Sequence, residues 1–164
     1  MQQADVLLIV TGLSHAGVTV WVDGGWCVDA LVGYQVRDHD DLDIAIRRND
    51  EPALKAWLSD HGYIGCPTPD ESPWNYVLRD DDGCQIDVHV FDFDESGNNS
   101  YGVAYPAESL TGHASLGGVT IHCIPPDWLF RFKTEFDPRP KDLVDVKALA
   151  VKFGFDIPAT HQTA

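Results

Sequence analysis

Asp41-Leu42-Asp43 is the stretch of this 164-residue chain whose residue types and spacing point most directly to chemistry. Residues 41–46 alternate Leu42, Ile44 and Ile46 with Asp41, Asp43 and Ala45, the period of a strand with one apolar face. Side chains two apart on a strand point the same way, about 7 Å apart, so both carboxylates share a face and could hold a pair of hard divalent cations. In-line phosphoryl transfer uses such a pair: one ion activates the attacking oxygen and the other neutralises charge on the departing phosphates. Moving either acid by one position would aim it into the core. A solvated surface strand can carry the same three letters, so the neighbouring residues must decide.

Upstream, Val22-Asp23-Gly24-Gly25-Trp26 places two glycines between a strand and a helix, where free amides and the helix dipole can cradle a phosphate. An ordinary tight turn is the plainer alternative. Downstream, Gln85-Ile86-Asp87-Val88-His89-Val90 alternates again, with Asp87 and His89 opposite the three apolar residues. If this strand lies beside 41–46, three carboxylates converge. Asp87 then completes a metal shell or takes the proton of an attacking hydroxyl, with His89 as the rival base. For His89, a half-buried, hydrogen-bonded ring is the bland alternative. Trp26, Trp74, Tyr76, Tyr101 and Tyr105 could wall a pocket for a sugar-bearing substrate or simply fill a core. Lys133, Arg139 and Lys141 could reach triphosphate oxygens, or pair along a helix with Asp142 and Asp145.

The elements that must position these groups follow from periodicity. Helices are expected over 4–15, 26–31, 51–61 and 138–153, with another opened by Pro125-Pro126. Strands are expected over 18–23, 41–46, 74–79, 85–91 and 118–123, with Asp80-Asp81-Asp82-Gly83 as a turn. Residues 92–117, rich in Gly, Ser, Asn and Tyr, read as mostly loop with at most one short edge strand, a natural place for substrate contacts. The expected fold is α/β: a mixed, mostly antiparallel twisted sheet with the acidic strands central, helices packed on one side and a short helical C-terminal segment. A single domain over 1–157 is expected, with a frayed tail over 158–164.

Composition narrows the partners. Acidic side chains number 26 against 11 basic, a net charge of −15 that repels a phosphate backbone and disfavours nucleic acid. The same charge suits a metal cation or a cationic small molecule, as well as a generally solvating surface. Cys27, Cys66, Cys84 and Cys123 lack zinc or disulfide spacing and read as reduced, partly buried thiols. No apolar run approaches the roughly 20 residues of a membrane span, and the start lacks the features of a signal peptide, so a soluble cytoplasmic protein is expected.

Trp21-Val22-Asp23-Gly24-Gly25-Trp26, Val28-Asp29-Ala30-Leu31, Arg37, His39, Asp41-Leu42-Asp43-Ile44 and Ile86-Asp87-Val88-His89 together resemble the small lincosamide nucleotidyltransferases of the polymerase-beta-like superfamily. The chain is also similar to the aminoglycoside 2''-nucleotidyltransferases, which share the Asp-Gly-Gly-Trp and Asp-hydrophobic-Asp elements. The resemblance implies that Asp41, Asp43 and Asp87 bind two magnesium ions, with Asp87 as third ligand or general base. It implies that Gly24 and Gly25 hold the triphosphate of ATP or another nucleoside triphosphate, and that Arg37 and His39 face or orient its phosphates. Asp23 and Asp29 are expected to organise the turn and helix. Trp26, Tyr76 and His89 are taken as substrate contacts. The implied reaction moves a nucleoside monophosphate, expected to be AMP, to a hydroxyl of a lincosamide-like or aminoglycoside-like antibiotic, which would confer resistance. Cys27 departs from the small residue more usual there, and 66–75 and 94–115 follow no family pattern, so the acceptor stays open. So does a homodimer sharing its pocket. The alternatives are a toxin–antitoxin or phage-defence nucleotidyltransferase acting on protein or RNA, and a catalytically silent nucleotide-binding module.

Overall fold

Two alternating segments, 41–47 and 85–93, lie side by side at the centre of the fold, and everything else is arranged around them. A computed structural model of the chain describes residues 1–162. Helix α1 (Gln3–His15) leads to β1 (Val20–Val22), α2 (Gly24–Val32), β2 (Asp41–Arg47), α3 (Glu51–Asp60), β3 (Ile64–Gly65) and β4 (Asn75–Arg79). Then follow β5 (Gln85–Phe93), β6 (Asn99–Gly102), β7 (Gly112–Leu116), β8 (Val119–Cys123), α4 (Pro126–Thr134) and α5 (Pro140–Phe153).

The strands form one sheet in the order β3-β4-β5-β2-β1-β8-β7, with β6 also on β5. The β2–β5 and β1–β8 pairs are parallel, and the remaining pairs are antiparallel. This is the expected mixed, mostly antiparallel sheet with central acidic strands. A parallel pair needs a long crossover, which α3, β3 and β4 supply between β2 and β5. Its register sets Leu42 beside Ile86, Ile44 beside Val88 and Ile46 beside Val90. All six are fully buried. Burial of a whole apolar face leaves little freedom to slip, because a one-residue shift would turn it to water and drive the acids into the core. Val6, Ile9 and Leu13 of α1, Leu54 and Leu58 of α3, and Val146 and Leu149 of α5 complete the core with their helical stripes. No helix among the described residues is long and apolar enough to cross a membrane.

The structure differs from the sequence reading in two places. Residues 92–117 carry two strands and a 3-10 turn rather than loop with one strand at most. Gly112-His113-Ala114-Ser115-Leu116 alternates, with His113 and Ser115 exposed and Leu116 buried, but among small residues with little strand preference; β7 pairs with β8 through the Gly117-Gly118 turn, both glycines having positive φ. The expected frayed tail is also corrected. Ala159–His161 make a 3-10 turn and His161 is buried, while the end of that expectation, 163–164, lies outside the described residues.

Ile44 sits fully buried on the central strand, so Ile44→Ala should lower unfolding free energy in urea by about 2–5 kcal/mol. Val119→Ala, at a site 36% exposed, should cost under about 1 kcal/mol. Similar losses at the two positions would contradict the assignment of β2 to the core.

Candidate active site

The register that buries the apolar face puts Asp43 directly beside Asp87 on the opposite face, with His89 two residues further along β5. Ligand atoms of Asp43, Asp87 and His89 all lie within 4.8 Å of one another. Asp41, one pair along β2, lines the same cleft of about 330 Å³ together with Asp23, Gly24, Gly25 and Arg37. A larger groove of about 450 Å³ runs between α1 and β8, but none of the acidic cluster lines it.

Local sequence explains how the glycines fit. Asp23 caps α2, its Oδ1 accepting from the Gly24 amide at 2.7 Å, and its own amide donates to the Asp43 carbonyl at 2.9 Å. Gly24 has φ +60°, and a Cβ there would overlap the Asp43 carboxylate. A Cβ on Gly25 would collide with His39 and Arg37. The two glycines therefore let the α2 N-terminus, with its unpaired first-turn amides, close onto the acids and their flanking residues.

Crowding of like charge shows in the electrostatics. Burial, then the neighbouring Asp41 carboxylate, pushes Asp43 up to about 6. For His89 burial works against the charged ring, but Asp87 and Asp43 outweigh it and raise it to about 9. His89 Nε2 is 3.5 Å from Asp87 Oδ1, an electrostatic contact too long for a good hydrogen bond, and that oxygen is buried without a hydrogen-bond partner. Facing the acids, α4 and α5 supply a basic and apolar wall: Phe132, Lys133, Phe136, Arg139 and Lys141. Asp145, fully buried, binds both Nε and Nη2 of Arg37, at 2.8 and 2.9 Å, and Nζ of Lys133 at 2.8 Å. Arg139 pairs with Asp142 at 2.7 Å.

Asp41, Asp43, Asp87, His89, Gly24, Gly25 and Arg37 thus meet in one cleft. Three expected site residues do not. Trp26 is 1% exposed and packs its ring on His39 at 4.6 Å, because the first turn of α2 faces the core there. Tyr76 pairs with Val88 and so shares the apolar face of β5, opposite Asp87; its ring lies under Lys55 of α3. His39 is buried against Asp29, Nε2 to Oδ2 at 2.6 Å, and reaches the cleft only through the backbone of Gly25. Asp29 organises the helix as expected, also accepting from the Val36 amide at 3.0 Å. Trp74 and Tyr101 pair with each other outside the cleft at 5.8 Å. Leu129, Phe132 and Phe136 line the cleft without having been singled out as site residues. The Pro125-Pro126 helix start was legible, but nothing in the sequence shows which side of α4 meets the acids.

Comparison with known proteins bears on this site. A family model described as aminoglycoside-2''-adenylyltransferase matches residues 5–149. A lincosamide resistance protein of Staphylococcus haemolyticus is 26% identical over 155 residues, covering 90% of this chain and 93% of that protein. The lincomycin-bound crystal structure of the lincosamide antibiotic adenylyltransferase LnuA has the same fold, with a TM-score of 0.78 at 24% identity over 91% of this chain and 96% of that one. ANT(2'')-Ia in complex with adenylyl-2''-tobramycin follows at TM-score 0.71 and 18% identity, covering 92% and 88%.

Asp145 holds two cations, the buried Lys133 and the half-buried Arg37, so Asp145→Asn should cost about 3 kcal/mol in denaturant unfolding at neutral pH. Burial alone would raise the Asp145 pKa, but Arg37 and Lys133 overcome it and hold it below the usual carboxylate value. Because the folded pKa is depressed, this contribution is complete above the unfolded value near 4 and fades as pH falls through the folded one. The stability gap between wild type and Asp145→Asn should therefore narrow below about pH 4. A gap independent of pH would contradict the ion-pair account.

Proposed function

The chain belongs to the aminoglycoside-2''-adenylyltransferase family, and we propose that it transfers a nucleoside monophosphate from a nucleoside triphosphate to a hydroxyl of a small cationic antibiotic. The observation that carries this reading is the meeting of Asp41, Asp43 and Asp87 in one cleft beside the glycine-opened N-terminus of α2.

The donor set fits hard cations. Its members are carboxylates, one of them has a buried oxygen with no hydrogen-bond partner, and burial together with their mutual repulsion raises Asp43. Asp41, Asp43 and Asp87 would hold magnesium, two ions in our reading, which when bound supplies charge neutralisation for the triphosphate and activation of the hydroxyl. The chain itself does the rest. Amides at the start of α2 bind triphosphate oxygens, and the cap on Asp23 keeps them turned inward. Among the basic groups of the opposite wall, Arg37, Lys133 and Arg139 are already paired with carboxylates, whereas Lys141 makes no ion pair among the described residues and is free to meet the phosphates. Phe132 and Phe136 offer apolar surface to the nucleoside. The hydroxyl proton goes to Asp87, since the neighbouring His89, raised to about 9, is already protonated near neutral pH. Pyrophosphate leaves on the basic side. A net charge of −15 favours a cationic acceptor and disfavours RNA. ATP as donor and the cytoplasm as its source complete the reading, and a homodimer is consistent with it.

Incubation with mixed nucleoside triphosphates, magnesium and a panel of lincosamides and aminoglycosides should add the mass of a nucleoside monophosphate to at least one drug. Asp43→Asn should reduce that rate at least about 100-fold, roughly 2.7 kcal/mol of barrier. Since it removes a crowded charge, the same substitution should leave the melting temperature equal or higher. Gly24→Ala should weaken donor binding, because the new methyl group must displace the Asp43 carboxylate or the α2 terminus. Turnover surviving Asp43→Asn, or no drug modified by the wild type, would defeat the reading.

A further inference from the structure

Tyr105 lies in the connection after β6, remote in sequence from the acidic strands, yet its hydroxyl sits between two residues of the cleft. It donates to Asp23 Oδ2 at 2.8 Å and lies 2.8 Å from His89 Nδ1. The ring is 5% exposed, held edge-on against Phe91 at 5.8 Å and Phe132 at 6.0 Å. A phenol has one proton, and a carboxylate can only accept. With that proton given to Asp23, the Tyr105 oxygen must accept from His89, so Nδ1 carries a hydrogen whether the ring is neutral or charged. Nε2 is then the nitrogen turned toward Asp87, 3.5 Å from Oδ1. Asp23 is held in turn, since its other oxygen caps α2 through Gly24.

We propose that Tyr105 is a positioning residue, which relays the charge of the α2 cap to His89 as a hydrogen bond and fixes the ring with Nδ1–H on the phenol oxygen and Nε2 turned toward Asp87 in the cleft. The consequence for catalysis rests on the nucleotidyl-transfer reading: with the ring held this way, Nε2 faces the Asp87 carboxylate and keeps it oriented toward the cleft. The orientation itself does not depend on that reading. The device also joins the two halves of the site, because the residue that turns the phosphate-facing amides inward and the residue that sets the histidine share one phenol oxygen.

The test is nitrogen-15 NMR of histidine-labelled, metal-free protein at alkaline pH, where the ring is neutral, with His89 assigned by the resonances missing in His89→Gln. Wild type should show a protonated Nδ1 and a bare Nε2. In Tyr105→Phe the acceptor for Nδ1 is gone, so the proton should move to Nε2, where Asp87 can accept it. Asp23→Asn should produce the same inversion by another route: the amide would keep its oxygen on Gly24 and donate to Tyr105, whose proton then turns to Nδ1. A wild-type ring protonated on Nε2, or an unchanged pattern in every variant that folds, overturns the proposal. On a modified drug, Tyr105→Phe should lower kcat about tenfold, less than the roughly 100- to 10,000-fold that proton transfer itself supplies, with KM for the nucleoside triphosphate changed less than about twofold. Unchanged kcat despite the inverted tautomer would remove the link to catalysis. The expected spectra together with no drug modified by the wild type would instead sink the functional reading and leave the positioning role standing.

Discussion

The parallel pairing of β2 with β5 is the constraint on which the rest of the structure depends. One register buries six aliphatic side chains on one face and sets Asp43 against Asp87 on the other, so the same hydrogen bonds that close the core also assemble the charges. Repulsion between those carboxylates is paid for by burial of the aliphatic face, since a one-residue slip that separated the acids would turn that face to water. The active-site strain is electrostatic, and it is held by hydrophobic burial.

Around that pair, opposite charge is kept close but not in contact. Arg37, Lys133 and Arg139 each hold a carboxylate of α5, Asp145 or Asp142, rather than one of the cleft acids. Had the basic residues collapsed onto Asp41, Asp43 and Asp87, the acids would be neutralised internally and have little affinity for cations. Satisfying the bases with buried partners of their own keeps both walls of the cleft charged and available to an anionic donor and a cationic acceptor.

Much of this was legible in the sequence where a residue's role depends on its own neighbours. Period-two alternation located Asp41, Asp43, Asp87 and His89 on one face, and the Asp-Gly-Gly run marked the start of α2. The failures came where a role depends on distant packing. Trp26 and Tyr76 are aromatic beside the right motifs, but the phase of a helix and the face of a strand turn them inward. His39 precedes the acidic pair, yet Asp29 captures it. Strand β7 alternates only among small residues, a signal easily read as loop, and is held by its pairing with β8. The α4–α5 wall and the hydroxyl of Tyr105 come to the acids through tertiary contacts that no local pattern encodes.

The link between β1 and β8 bears on how the molecule reaches this state. Trp21 pairs in parallel with His122, roughly a hundred positions away, so the sheet cannot close until most of the chain has been synthesised. Helices α4 and α5 follow still later. A nascent chain therefore carries its three acids for some time before Lys133, Arg139 and Lys141 exist. Chaperones or ambient divalent ions met during that interval would act on an incomplete, strongly acidic sheet, and folding yield should depend more on them than the stability of the finished protein suggests.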